Sequence, residues 1–315
     1  MTGNFQKLII DTDAGVDDAI AIMMALAYPT TDVIAITTVN GNVDVEKVTR
    51  NVAHTLDLFE NDVPIYRGCS HPLIADPVHS DGIHGSDGLG VITASLSPGE
   101  RLVESEAASL ALVRLAKHYA GQFTLVALGP LTNLAVAVRL DPGFVHNVKR
   151  LVLMGGAVEA RGNASPAAEF NIYADPEAAA IVFGAGFPDL WMLSWEATLS
   201  HPVPWSDYDE LAQLKSGRAE FFRRITMHTA TLLREGYGYP GFLVPDPLAA
   251  AVALNPDLII DAQQLPVSVE IVGEHGRGLT SVDWFQQSGK PASAHIVQQI
   301  DMQQVVEMMR QTIAG

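Results

Sequence analysis

The sequence predicts an α/β fold, with a mostly parallel sheet covered by helices on both faces and a helical elaboration at its C-terminal end. Three observations carry this. Short apolar runs rich in β-formers alternate with amphipathic helical patterns through most of the 315 residues. Those runs are continuously apolar, as strands buried on both faces must be. The last third changes character, to long helical patterns and a stretch rich in Gly, Tyr and Pro.

Taken in order, KLIID (7–11) is the first strand, and Asp17 and Asp18 begin the helix DDAIAIMMALAY (17–28) after a turn that Gly15 allows. DVIAITTV (32–39) supplies the second strand and VEKVTRNVAHTLDLF (45–59) the next amphipathic helix. The alternation continues with EAASLALVRLAKHY (106–119), FTLVALG (123–129), TNLAVAVRL (132–140) and RLVLMGG (150–156). PEAAAIVFGA (176–185) then leads to the strand LWMLS (190–194). In the last third PVSVEIV (266–272) is the one strand-like run, between helical patterns at 218–235 and 295–314. REGYGYPGFLVPDP (234–247) reads as a mobile active-site flap. Without a composition break or an internal repeat, one domain over 1–315 is expected.

An apolar share of 48% with 17% charged residues supports a sizeable core and argues against disorder. The net charge of −17 argues against non-specific binding to nucleic acid or an anionic membrane. Cys69 is the single cysteine, so neither an intrachain disulfide nor a cysteine-based metal cluster can form. The start MTGNFQK lacks the layout of a signal peptide and no apolar run reaches the length of a membrane span; a cytoplasmic protein is expected.

LIIDTDAGVDD (8–18) crowds Asp11, Asp13, Asp17 and Asp18 at the end of a buried strand. One or two acids would suffice to cap a helix and complement its dipole. At about 5 Å and an effective dielectric of about 20, each like-charged pair costs about 3 kcal/mol. The chain has no Lys or Arg between Lys7 and Lys47 to relieve this locally, so a hard divalent cation held by oxygens is the natural solution. In open parallel sheets ligands bind beyond the carboxyl ends of the strands, which is where these acids fall. Asp246 in VPDPLAAAV can cap a helix with Pro247 at its first position, and its neighbourhood to the flap adds a ligand role. Asp175 in ADPEAAA has the same layout and is read as a cap only. Asn163, Glu169 and Asn171 in GNASPAAEFNIYADP (162–176) place hydrogen-bonding groups nearby, which suits a polyhydroxylated ligand such as a sugar.

Together these pieces resemble the nucleoside hydrolase family, the N-ribohydrolases that prefer inosine and uridine among other nucleosides. The match lies in DTDAGVDDAIAI (11–22), TTVNGN (37–42), HGSDG (84–88), ALGPLTNLA (127–135), LVLMGG (151–156), GNASPAAEFNIYADPEAA (162–179) and PDP (245–247). The resemblance implies a Rossmann-like, mostly parallel sheet, a homodimer or homotetramer, one Ca²⁺ per active site, and hydrolysis of a nucleoside to ribose and free base. Carried over by motif, Asp13, Asp18, Asp246 and the main-chain carbonyl of Leu128 would hold the calcium. Asp13 would also be the general base towards the attacking water. Asp17, Asn42 and Asn171 would bind the ribose hydroxyls, Asn163 and Glu169 the 5′ side, Met154 would lie beneath the sugar, and Asp11 would support the loop. The residue types fit this chemistry: cleaving an N-ribosidic bond builds positive charge on the sugar, and an anionic pocket stabilises it.

One position departs from the family. Many members carry a His before the last calcium-binding Asp, where it protonates the departing base; here it is Pro245. The substitutes are a flap-region acid (His228, Arg234, Tyr237 or Tyr239), His84 or His79 from VHSDGIHGSDG (78–88), or stacking with Trp205 or Phe242. Two rival readings stand beside the hydrolase. One is a non-catalytic nucleoside binder that lost turnover with its acid. The other is a haloacid-dehalogenase-like phosphohydrolase, disfavoured because Gly15 sits where that pattern needs Thr or Val.

Overall fold

The computed structural model describes residues 5–96 and 103–315. The first half of the chain runs β1 (Gln6–Thr12), α1 (Val16–Ala27), β2 (Thr31–Thr38), α2 (Val45–Asp57), β3 (Ile65–Arg67) and the short α3 (Asp81–His84). It continues with β4 (Val103–Glu104), α4 (Ala108–His118), β5 (Phe123–Ala127), α5 (Thr132–Leu140), α6 (Phe144–Asn147) and β6 (Arg150–Met154). The second half runs α7 (Phe170–Ala174), α8 (Pro176–Phe183), β7 (Leu190–Leu193), α9 (Trp195–Ser200), β8 (Val203–Pro204), α10 (Trp205–Gln213) and α11 (Gly217–Thr231). After these come β9 (Gly241–Phe242), α12 (Pro245–Leu254), β10 (Ile259–Leu265), β11 (Val267–Val269), β12 (Thr280–Val282), β13 (Ala294–Ile300) and α13 (Met302–Ala314).

Among the described residues, nine strands form one sheet in the order β10-β13-β7-β6-β5-β1-β2-β3-β4. Its pairs are parallel except β10 with β13, which is antiparallel. Alternation along β1 sends Leu8 and Ile10 to one apolar cluster and Ile9 to another on the opposite face. Helices α1 and α12 lie together on the first face, buried at nearly every position, which is why both read as apolar without a polar stripe. Helices α4, α5 and α8 cover the second face.

The strand order reverses at β1. The chain builds outward through β2, β3 and β4 on one side, then returns to place β5, β6 and β7 on the other. The crevice at such a reversal opens beyond the carboxyl ends of the strands, and Asp13, Leu128 and Met154 follow or end β1, β5 and β6 there.

The structure corrects the reading of the C-terminal third. The helical pattern at 295–314 is β13 up to Ile300 and becomes α13 only after Asp301, whose side chain caps it through Gln304 N. Ile296, Val297 and Ile300 are the buried residues of HIVQQI, and that spacing fits a helix as well as a strand. The run at 266–272 is a strand only at β11, which pairs with β12 in a separate two-stranded sheet. The sheet edge belongs instead to β10, whose IIDAQQL neither alternates nor runs apolar throughout, with Ile260, Asp261, Gln263 and Gln264 facing solvent. The 234–247 stretch is anchored rather than free. A π-helical turn at Leu232–Gly236 extends α11, Trp205 Nε1 donates to the Tyr239 carbonyl at 2.9 Å, and β9 pairs with β8.

Candidate active site

The turn from β1 to α1 is built around carboxylates. Asp11, fully buried, accepts from Thr37 Oγ1 at 2.5 Å and Asn133 Nδ2 at 2.8 Å, so it ties β1 to β2 and α5 and supports the turn. Burial pushes its carboxyl up to about 7. Two residues on, Asp13 is also fully buried; its Oδ2 accepts the Asn42 N–H at 2.8 Å while Oδ1 has no partner. Two glycines make room for it. A Cβ on Gly41 would stand 2.1 Å from Oδ2, and one on Gly129 2.8 Å from Oδ1. Ala14, at φ 25°, takes the left-handed conformation a non-glycine residue rarely adopts. Such strain costs about 1–3 kcal/mol and clusters at functional sites.

Two helix N-termini meet here. Asp17 and Asp18 lie in the first turn of α1, and Asp246 in that of α12, each favoured by a helix dipole. Asp246 is not the cap expected of it: α12 starts at Pro245 with Val244 at the cap position, so Asp246 is free to face α1. Asp175 does cap α8, through Ala178 N at 3.0 Å. Single oxygens of Asp17, Asp18 and Asp246 lie within 4.8 Å of one another. Asp13 stands outside that tightest group, yet its charge still bears on Asp246. Asp18 is held by Thr12 Oγ1 at 2.5 Å, Gly15 N at 2.8 Å and Asn42 Nδ2 at 3.2 Å.

Burial, then mutual repulsion, raises the carboxyls of Asp13, Asp18 and Asp246, and burial lifts Asp17 to about 6. Among the described residues no Lys or Arg pairs with any of the four. Buried oxygens without partners on Asp13 and Asp17, in an all-oxygen acidic group, are what a hard metal ion fits.

Above the carboxylates opens a cavity of about 330 Å³. Its polar wall carries Asp17, Asn42, Asn163, Glu169, Asn171 and Asp246. The Asn42 amide is oriented by two bonds, Oδ1 accepting from the Ser80 hydroxyl and Nδ2 donating to Asp18. Asn171 Nδ2 donates to the Leu128 carbonyl at 2.7 Å and to the Met154 carbonyl at 3.2 Å, joining the ends of β5 and β6. Glu169 caps α7, and its carboxylate accepts from Gly156, Asn171 and Ile172 amides. Burial nevertheless pushes it up to about 7. Asn163 Oδ1 accepts from Phe170 N at 2.8 Å, which leaves its Nδ2 donors available. Leu128 and Met154 also line the cavity.

The other half is apolar and aromatic, with Leu233, Tyr237, Tyr239, Phe242, Leu243 and Pro245. His84 lies beside it; its Nδ1 accepts from Val16 N at 3.1 Å, so the neutral ring carries its proton on Nε2. Burial pushes the imidazole down to about 4, so its 3.5 Å approach to Asp17 is no ion pair at neutral pH. The remaining candidates for the missing acid lie elsewhere. His79 Nδ1 sits 2.9 Å from the Gly41 carbonyl, and the exposed His228 reaches the Gly82 carbonyl at 3.2 Å. Arg234 stacks over Trp205 at 4.4 Å and pairs with Asp209 at 2.7 Å. None of these four side chains, Trp205 included, lines the cavity.

Sequence reasoning missed Asn133, Ser80, Trp195 and Glu196. Asn133 left a usable signal, an amide among the apolar residues of LTNLAVAV; the others become relevant only through long-range contacts.

Residues 8–307 match the sequence profile of the family described as inosine-uridine preferring nucleoside hydrolase. The chain is 36% identical over 312 residues to the pyrimidine-specific ribonucleoside hydrolase RihB of Escherichia coli (strain K12), covering 98% of this chain and 97% of that one. It is 37% identical over 258 residues to uridine nucleosidase 1 of Arabidopsis thaliana, covering 81% and 76%. Among solved structures, an inosine-guanosine nucleoside hydrolase is similar at TM-score 0.90 and 33% identity, covering 98% of both chains. A purine-preferring ribonucleoside hydrolase from Gardnerella vaginalis is similar at 0.89 and 30%, again over 98% of both.

Proposed function

Because this chain belongs to the inosine-uridine preferring nucleoside hydrolase family, we propose that it hydrolyses the N-glycosidic bond of ribonucleosides with one Ca²⁺ per active site, releasing ribose and free nucleobase. The observation that carries this reading is the convergence of Asp13, Asp17, Asp18 and Asp246, with unpartnered oxygens, beneath a cavity that is polar on one side and aromatic on the other. Asp13, Asp18, Asp246 and the Leu128 carbonyl would hold the ion, an all-oxygen donor set of the kind calcium prefers. When bound, Ca²⁺ supplies Lewis acidity and a fixed place for water and sugar hydroxyls.

Asp13, fixed through Oδ2 by the Asn42 amide, keeps Oδ1 free to take the proton of the attacking water. Asp17, Asn42 and Asn171 bind the ribose hydroxyls, Asn163 and Glu169 take the 5′ side, and Met154 lies under the ring. As the bond to the base lengthens, positive charge grows on the sugar and the carboxylates around it stabilise that charge. The base departs into the aromatic half. Pro245 has no proton to give, so we assign the leaving-group proton to the hydroxyl of Tyr239, whose carbonyl and amide are tied to Trp205 and Leu233, while His84, neutral, supports the departing base by a hydrogen bond from Nε2–H. The relatives named above divide between pyrimidine and purine nucleosides, and either class of base fits this reading. A homodimer or homotetramer belongs to it on the family resemblance alone, and a cytoplasmic location on the sequence reading.

Ribose release from inosine, adenosine, uridine, cytidine and p-nitrophenyl riboside tests the proposal. At least one natural nucleoside is cleaved, EDTA stops the reaction and Ca²⁺ restores it. Asp13→Ala folds normally but loses about a thousandfold or more on every substrate, the nitrophenyl riboside included. Near-normal rates in that variant would sink the mechanism, and no ribose from any of the five would favour the non-catalytic binder.

A further inference from the structure

The structure assigns to Glu196, which takes no part in the steps above, the role of positioning residue for the 5′ wall: it holds the 157–163 loop so that Asn163 meets the sugar. This rests on the placement of Asn163 at the 5′ side in the proposed function. Glu196 follows Trp195 in the first turn of α9 and is only 7% exposed. Its Oε2 accepts from Val158 N at 2.9 Å, and its Oε1 from Glu159 N at 2.9 Å and Arg161 N at 3.4 Å. Among the described residues no Lys or Arg pairs with it, so loop amides answer its charge, and such charge-assisted bonds are the stronger kind.

The loop lies outside the helices and strands, so its shape depends on these bonds. Trp284 Nε1 reaches the Val158 carbonyl at 3.3 Å, and the amides of Gly162 and Asn163 bond the Pro166 and Ala168 carbonyls. The segment leads straight to Gly162 and Asn163, both in the cavity wall. Trp195, the neighbour of Glu196, also lines the cavity, and its N–H donates to the Gly156 carbonyl at 2.9 Å. One carboxylate therefore sets the loop and stands beside the aromatic ring on the same wall. A glutamine there would keep the shape but offer one oxygen, and would turn an NH₂ group towards loop amides that need an acceptor.

The test compares kcat/KM for uridine with that for 5′-deoxyuridine, and for inosine with 5′-deoxyinosine, in the wild type, Glu196→Gln and Asn163→Ala. This ratio does not depend on how much of a variant folds, and Glu196→Asp serves if the glutamine variant gives no folded protein. We expect both variants to lose about tenfold on the parent nucleoside and less than about twofold on the 5′-deoxy analogue, the loss of one substrate hydrogen bond. A collapsed ratio in Asn163→Ala with an unchanged one at Glu196 overturns the role of Glu196 and leaves the 5′ reading intact. An unchanged ratio in Asn163→Ala removes the 5′ reading, and this inference falls with it.

Discussion

Removing the proposed calcium should soften the whole fold, because the site is built from like charges brought together by two buried helices. The nearest oxygens of Asp17, Asp18 and Asp246 lie within 4.8 Å of one another. At an effective dielectric of about 20, each ionised pair then repels by about 3.5 kcal/mol and the three pairs by about 10 kcal/mol. The metal-free protein avoids most of this by keeping protons, so the measurable effect follows mass action. Calcium at a hundred times its Kd stabilises the folded state by about 2.7 kcal/mol. With an unfolding entropy of about 2.1 cal/mol/K per residue, 315 residues convert that into a rise of about 4 °C in Tm, and each further tenfold in calcium adds about 2 °C. Differential scanning fluorimetry of EDTA-treated protein at pH 7.5, titrated with CaCl₂, measures it. Asp246→Asn removes one of the charges, so its calcium-free form should melt higher than the wild type's and its calcium response should shift to at least about tenfold higher concentration. Identical melting of stripped and calcium-saturated wild type, with no metal found by elemental analysis, would refute the reasoning.

Three other outcomes are expected. Asn133→Leu removes one of the two side-chain bonds to Asp11 and the Asn133 bonds to the Thr38 carbonyl and the Cys69 amide; urea unfolding should show a loss of about 3 kcal/mol, and one below about 1 kcal/mol would deny Asn133 its structural role. Glu169 is pushed from 4.5 up to about 7 by burial, so the folded state holds its proton more tightly than the unfolded chain. Its stabilising contribution is therefore complete below about pH 4.5 and is lost as pH rises through about 7, some 3 kcal/mol in all. Unfolding free energies of the wild type and Glu169→Gln, measured between pH 4.5 and 8, should diverge by that amount, and parallel curves would contradict it. Tyr239→Phe should slow cleavage of the preferred natural nucleoside by about tenfold or more while leaving p-nitrophenyl riboside within about twofold, since that leaving group needs no acid. An equal loss on both would remove the hydroxyl from the leaving-group step.

Much of the site was legible because it is written in short local strings. Asp11, Asp13, Asp17 and Asp18 sit within one strand-turn-helix unit, and the absence of nearby bases marked them as more than caps. Glu169 and Asn171 were equally visible in AEFN. The parallel core was legible for a similar reason: a strand buried on both faces must carry an apolar run through its middle, and β1, β2, β5, β6 and β7 all do. Failures came where pattern was ambiguous or polar. HIVQQI fits both periods, and β10, at the sheet edge, follows neither a strict alternation nor a continuous apolar run.

The chain alone determined the chemistry available at the end of β1: carboxylates in excess of any local counter-charge, glycines beside them, amides further on, and a proline where an acid was expected. Those are properties of residue type and near-neighbour spacing. Only the tertiary structure decided that Asp246, more than two hundred residues away, closes on Asp17 and Asp18, and that Asn133, Ser80 and Glu196 hold the groups around them. It also decided which tyrosines reach the cavity and which histidines do not. The reason is physical. Local propensity and burial pattern act over a few residues, whereas a site at the reversal of a sheet is assembled by the packing of helices whose contacts no periodicity encodes.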